Sequence, residues 1–198
     1  MSETSTSQDH VSYYIDHTIY TGRPADTTGR LPKEIRTYNL LDSLGIAYAR
    51  ADHDTLPTME ACQEVGNLLG IEICKNLFLR NTQKTAFYLL ILPGSKKFKT
   101  AALSKQIGSA RLSFAEPEFM EQYLNITPGS VSVLGLMNDP ENKVRLLIDK
   151  DILKNHPYFG CHPCINTSSL KFRTEDLLNK ILPAIHHDYT MVDLPYAE

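Results

Sequence analysis

Cys74-Lys75-Asn76-Leu77-Phe78-Leu79-Arg80, then Asn81-Thr82-Gln83-Lys84, then Thr85-Ala86-Phe87-Tyr88-Leu89-Leu90-Ile91-Leu92 is the stretch that decides the fold. Two runs rich in Leu and aromatic residues flank four polar ones. That pattern predicts a hairpin, with strands over 76–80 and 85–92. The apolar run Ala86 to Leu92 stops at Pro93-Gly94. It reads as a buried strand, far short of the roughly 20 residues that span a bilayer.

The same stretch opens a window, Cys74 to Ala115, without a single Asp or Glu. It carries Lys75, Arg80, Lys84, Lys96, Lys97, Lys99, Lys105 and Arg111, although the net charge of the chain is -3. A one-sign stretch in a slightly acidic protein points to a local field aimed at an anion. The alternative is a set of cations scattered over solvated faces.

Outward from the hairpin, helical and strand patterns alternate. Pro32 precedes a helix with Ile35, Tyr38, Leu41 and Leu44 on one side, stopped by Gly45. A strand follows over 46–51. Thr58 is placed to cap a helix carrying Ala61, Cys62, Val65 and Leu69, stopped by Gly70. Beyond the hairpin come a helix over 100–107 and a strand over 111–115. Pro117 stands at the first position of a further helix. Strands are expected over 131–134, 144–148 and 169–172. Thr174 caps a last helix, which Pro183 ends. The layout is α/β: one domain with a mixed, mostly antiparallel sheet flanked by short helices. Residues 1–32 read as a partly ordered N-terminal extension, 33–185 as the domain and 186–198 as a C-terminal tail.

At 198 residues, with 42% apolar and 22% charged side chains, the chain has the length and composition of one globular domain. The opening MSETSTSQDH lacks the basic and apolar regions of a secretory signal, so a cytoplasmic location and reduced cysteines are expected.

Cys161-His162-Pro163-Cys164 has the spacing of half a zinc site or of a redox pair. Zinc needs four ligands, and Cys62 and Cys74 each stand alone. A redox pair should open a helix, whereas Ile165 to Phe172 reads as loop and strand. Two small, partly buried thiols are the simpler reading. Lys75 opens a strand, where an ammonium serves as a point charge for a phosphate or is merely solvated. His162 lies in a turn bounded by Gly160 and Pro163. Such a turn either is structural or offers backbone N–H groups to an oxyanion.

Taken in order, Cys74 to Leu79, Pro128-Gly129-Ser130-Val131-Ser132 and Gly160 to Thr167 resemble the YbaK/prolyl-tRNA-synthetase-associated editing family. The resemblance covers about residues 33–185. It is closest to the freestanding ProX-type members, which deacylate alanyl-tRNA(Pro). It implies a single α/β domain without metal or organic cofactor. It also implies hydrolysis of the ester that joins a wrong amino acid to the terminal adenosine of tRNA(Pro). The implied partners are the acceptor end of that tRNA and prolyl-tRNA synthetase or an elongation factor, with no membrane. Lys75 corresponds to the lysine that engages the terminal nucleotide, and Asn76 to its neighbour near the substrate's amino end. Gly160, Cys161, His162 and Pro163 correspond to the loop holding the scissile carbonyl. Asn166 and Thr167 continue that motif, and Ser130 lines the same cleft. Lys75, His162 and Gly160 are thereby the catalytic candidates. Val133-Leu134 stand where the family has Pro and Phe. The alternatives are a cysteinyl-tRNA(Pro) deacylase, disfavoured by Asn rather than Thr after Lys75, and a non-catalytic module binding tRNA or a synthetase.

Overall fold

The computed structural model describes residues 12–196. The predicted hairpin forms as β3 (Cys74–Asn81) and β4 (Phe87–Pro93), with Asn76 opposite Ile91 and Phe78 opposite Leu89. Asn81 closes the turn, its Oδ1 accepting from the backbone N–H of Thr85 at 2.9 Å. The continuous apolar run of β4 reflects burial on both faces. Phe87, Leu89 and Ile91 enter the main core, and Tyr88, Leu90 and Leu92 enter a second cluster on the opposite face. Each such side chain contributes roughly 1.5–3 kcal/mol by leaving water.

The structure divides the expected single sheet into two. The larger has the order β5 (Leu112–Phe114), β3, β4, β6 (Val144–Asp149), β9 (Tyr189–Val192). Its β4–β6 and β6–β9 pairs are parallel. The smaller sheet is antiparallel, in the order β1 (Tyr20–Thr21), β2 (Ala49–Asp52), β8 (Ser168–Arg173), β7 (Tyr158–Cys161). Phe78 and Phe87 from one sheet and Phe159 and Phe172 from the other belong to the same core.

Helix starts and stops follow the local chemistry. Pro32 and Pro117 occupy the first turns of α1 (Pro32–Ser43) and α4 (Pro117–Leu124), where a missing N–H costs nothing. Thr58 caps α2 (Met59–Leu69) by accepting from the N–H of Ala61 at 3.2 Å. α2 then packs Ala61, Val65 and Leu69 onto Ala51 and Leu56. α3 (Thr100–Ile107) covers the outer face of the larger sheet through Leu103.

Three elements differ from expectation. The segment 131–134 is not a strand. Ser132 accepts from the N–H of Leu134, and Val133–Asn138 turns as a 3-10 helix whose apolar side is buried. Asp149 caps a short helix, α5 (Lys150–Asn155), by accepting from the N–H of Asp151 at 3.0 Å. The last helix runs α6 (Thr174–Asp176), a π turn Leu177–Ile181, then α7 (Leu182–Ala184). Pro183 thus lies inside it, and the wider turn makes room for a ring without an N–H donor.

Segments flanking 33–185 join the sheets. Ile15 bridges His53, β1 pairs with β2, and β9 lies within 186–198. Residues 1–11 of the expected N-terminal extension lie outside the described residues.

Candidate active site

The larger sheet meets the smaller one where the start of β3 approaches the end of β7 and the start of β8. A small cavity of about 40 Å³ lies there, lined by Leu56, Ile71, Asn76, Gly160, His162 and Ser169 among others. Gly160 is required by close packing. A Cβ built on it would lie 2.2 Å from Cδ1 of Ile71, itself a wall of the cavity. Its φ is not positive.

His162 follows β7, and its ring is fixed from one side. Nδ1 lies 2.8 Å from the carbonyl oxygen of Ser168. Its own carbonyl accepts from Ser132 Oγ at 2.7 Å. Burial pushes the imidazole pKa down to about 4, so the ring is neutral near pH 7. The His53 ring stands edge-on to it at 5.9 Å between centroids. His53 Nδ1 lies 2.8 Å from the Asp54 carbonyl and Nε2 lies 2.9 Å from Ser169 Oγ. Burial lowers the pKa of His53 as well. Asp52 next door is no base for the pocket. Burial raises its pKa, but the Arg30 and Arg50 guanidinium groups outweigh that and hold it at about 2.

Asn76 presents a side chain with one committed end. Nδ2 donates to the Cys74 carbonyl at 3.4 Å, and Oδ1 is buried with no partner. Lys75 points its ammonium elsewhere, donating to the Lys96 carbonyl at 2.7 Å. Lys96 is fully buried. Its Nζ donates to Asp149 at 2.8 Å and to the Leu194 carbonyl at 2.7 Å, and pairs with Asp151 at 2.9 Å. Burial opposes that charge and the two carboxylates outweigh it, raising the pKa. Gly94 permits the turn leading into Lys96. A Cβ there would lie 2.4 Å from the Ile73 carbonyl oxygen.

Of the residues singled out from sequence, Asn76, Gly160, Cys161 and His162 come together around the cavity. The others do not line it. Lys75 lies one residue away along β3. Ser130 closes its own turn, donating to the Thr127 carbonyl at 2.8 Å. Pro163 is buried behind the loop. Asn166 clamps Leu56, a cavity residue, through both backbone groups at 3.3 Å. Thr167 receives the His53 backbone N–H on its carbonyl at 3.1 Å. Val133 and Leu134 are core residues. The thiols of Cys74, Cys161 and Cys164 are buried and unbridged. Burial pushes Cys74 up to about 12, Cys164 up to about 11 and Cys161 higher still. Among the described residues no group of three or more His, Cys, Asp or Glu could hold a metal ion. No helix among them is long and apolar enough to cross a membrane.

His53, Ser169 and Ser132 are the residues that sequence reading misses. His53 and Ser169 are 116 positions apart, and neither carries a local signature.

The same architecture occurs in a solved structure described as a candidate trans-editing enzyme for prolyl tRNA synthetase. The two are 17% identical, with a TM-score of 0.60 covering 84% of this chain and 99% of the other. That likeness shows the fold: two packed sheets with a pocket at their junction. The chain belongs to the aminoacyl-tRNA editing domain family, whose model matches residues 53–180. It is 32% identical over 154 residues to the "Prolyl-tRNA editing protein ProX" of Acetoanaerobium sticklandii, covering 78% of this chain and 93% of that protein. It is also 28% identical over 142 residues to "Prolyl-tRNA synthetase associated domain-containing protein 1" of Bos taurus, covering 70% and 82%.

Proposed function

We propose that this protein acts in trans, in the cytoplasm, to remove alanine from mischarged tRNA(Pro) by hydrolysing the aminoacyl ester. The observation that carries the reading is the apolar wall of the pocket at the junction of the two sheets. Ile71, Leu56 and Gly160 bound it, and in this reading that wall accepts the alanine methyl and turns away the larger proline ring. The relative named for prolyl-tRNA editing is matched over nearly its whole length, which supports the choice of tRNA.

In this reading the acyl group enters the cavity and the acceptor end lies across the start of β3. Lys75 leaves the Lys96 carbonyl to engage the terminal phosphate. Attack comes from water, because the thiols lining the cavity are protonated and no carboxylate lines it. The water oxygen adds to the ester carbonyl. The intermediate then expels the ribose oxygen, which takes up a proton, and free alanine leaves. An aminoacyl ester is already activated, so positioning and oxyanion stabilisation supply most of the rate. The exposed Lys97, Lys99, Lys105 and Arg111 guide the acceptor stem.

The test is to incubate the pure protein with alanyl-, cysteinyl-, seryl- and prolyl-tRNA(Pro) and follow ester loss. The expected result is rapid loss of alanine with prolyl ester intact. A preference for cysteinyl ester would reassign the substrate, and no ester loss from any of the four would leave only a binding module.

A further inference from the structure

We infer that Lys96 is a positioning residue for the reaction: the segment that follows β9 straps its side chain in place, and its backbone carbonyl holds the Lys75 ammonium at the start of β3. The inference rests on the deacylase reading above. It adds a part of the chain beyond residue 180, where the match to the family model ends.

Lys96 is a buried charge that no step of the proposed reaction uses. Its side chain is 1% exposed. Taking an ammonium out of water is costly unless oxygens surround it closely. Asp149 and Asp151 bring carboxylates to 2.8 and 2.9 Å, and the Leu194 carbonyl accepts at 2.7 Å. Much of that cage belongs to the strap. Leu194 also donates its backbone N–H to Asp149 at 3.1 Å. Lys96 Nζ lies 4.7 Å from the centre of the Tyr196 ring, whose hydroxyl donates to Asp151 at 2.9 Å. Gln106 of α3 clasps the strap at Asp193, donating to its carbonyl at 2.9 Å and accepting its N–H.

The strap reaches Lys75 through this one residue. The Lys96 backbone N–H is tied to the Pro93 carbonyl at 3.1 Å. Beyond it Lys97 and Lys99 are exposed and Phe98 is half-buried, so the Lys96 side chain is the firmest anchor between β4 and α3. The carbonyl that it steadies is the one that accepts from Lys75 Nζ at 2.7 Å. A free lysine side chain samples many rotamers, and fixing it on a phosphate loses that freedom. A neutral carbonyl gathers the ammonium beforehand, yet holds it less tightly than a carboxylate would. Lys75 is thereby both preset and releasable.

The experiment loosens the strap from outside. Gln106 and Tyr196 are both exposed, so Gln106→Ala with Tyr196→Ala removes the clasp and the ring from a protein that still folds, and Lys96 keeps its two carboxylates. The unclasped variant is made with Lys75 and again with Lys75→Ala, and kcat/KM on alanyl-tRNA(Pro) is measured for each against its parent. With Lys75 the loss is expected to be about three- to tenfold. With Lys75→Ala it should stay within about twofold, because the carbonyl no longer has an ammonium to hold. Merely structural damage would lower both alike. An equal loss in both backgrounds, or no loss beside Lys75, overturns the inference. If the wild-type protein hydrolyses no alanyl-tRNA(Pro), the deacylase reading fails, and the reactivity of Lys75 decides the positioning. Acetylation of Lys75 by an N-hydroxysuccinimide ester is followed by mass spectrometry, with the exposed Lys97 as reference. It should quicken at least about threefold in the unclasped variant. An unchanged ratio of the two rates overturns the inference.

Discussion

The ammonium of Lys75 donates to the backbone carbonyl of Lys96 at 2.7 Å, so two lysines of one basic window meet with opposite duties. Lys96 is sealed between Asp149, Asp151 and the Leu194 carbonyl, whereas Lys75 is half-buried and held by one neutral acceptor. Lys75 is therefore the one that can change partners.

Lys75→Ala is expected to slow deacylation of alanyl-tRNA(Pro) about 10- to 100-fold, the worth of one hydrogen bond to a charged group, while the thermal midpoint barely moves. Lys96→Met should behave the other way. It leaves Asp149 buried without its cation and is expected to cost about 3–5 kcal/mol of stability in a urea titration. Near-normal turnover by Lys75→Ala would return that side chain to a structural role.

Gly160→Ala places a Cβ where Cδ1 of Ile71 now sits. The flexible end of Ile71 should yield by moving into the cavity, so the variant folds and loses most of its activity. Adding Ile71→Ala to it should restore turnover in part. If the double variant is no better than the single one, steric intrusion is the wrong explanation.

Cys161→Ser and Cys164→Ser test the thiols. Burial keeps both protonated, and neither is bridged. Each variant is expected to lose about 1–3 kcal/mol of stability by burying a hydroxyl. Turnover per folded molecule should stay within about threefold of the original, because neither thiol is assigned a bond in the reaction. Abolished turnover in either folded variant would make a thiol the chemical centre.

The pH dependence of stability has a definite sign. The His162 pKa is about 4 in the folded protein against an unfolded value near 6.5, so the unfolded chain binds the proton first as pH falls. Stability is complete above about pH 6.5 and declines down to about pH 4, with a slope from this group approaching 1.4 kcal/mol per unit. His53, lowered by the same cause, adds in the same direction. His162→Gln should flatten the urea midpoint between pH 6.5 and 4. An unchanged slope would mean that the imidazole is not desolvated.

Binding of tRNA should weaken as salt rises, since Lys97, Lys99, Lys105 and Arg111 are exposed beside the Lys75 strand. Lys97→Ala and Lys99→Ala are each expected to lower the log–log salt slope by about one. Arg80→Ala should not, because Arg80 is already paired with Glu116 at 2.7 Å.

Local signals were legible wherever one or two residues set the geometry. Pro32, Thr58, Gly70, Gly108 and Pro117 mark helix ends that the structure reproduces. The 3-10 turn at Val133–Asn138 was not legible. Its Val and Leu have strand propensity, and a buried Ser132 cap overrides it. β9 escaped notice because a four-residue parallel edge strand has too little periodicity to read. Of the residues in short contiguous motifs, Asn76, Gly160, Cys161 and His162 line the cavity, and Lys75, Ser130, Pro163, Asn166 and Thr167 do not. His53 with Ser169, and Lys96 with Asp149, could not be found, because their chemistry exists only across distant chain segments.

The cavity walls come from both sheets and from chain positions as far apart as Leu56 and Leu170. No contiguous fragment holds the whole pocket, and neither sheet forms it alone. Turnover therefore works as a switch on completed folding: partly assembled molecules are silent, not sluggish. A population losing its structure should lose editing in proportion to the molecules that have come apart, with no weakly active intermediate to blur the count.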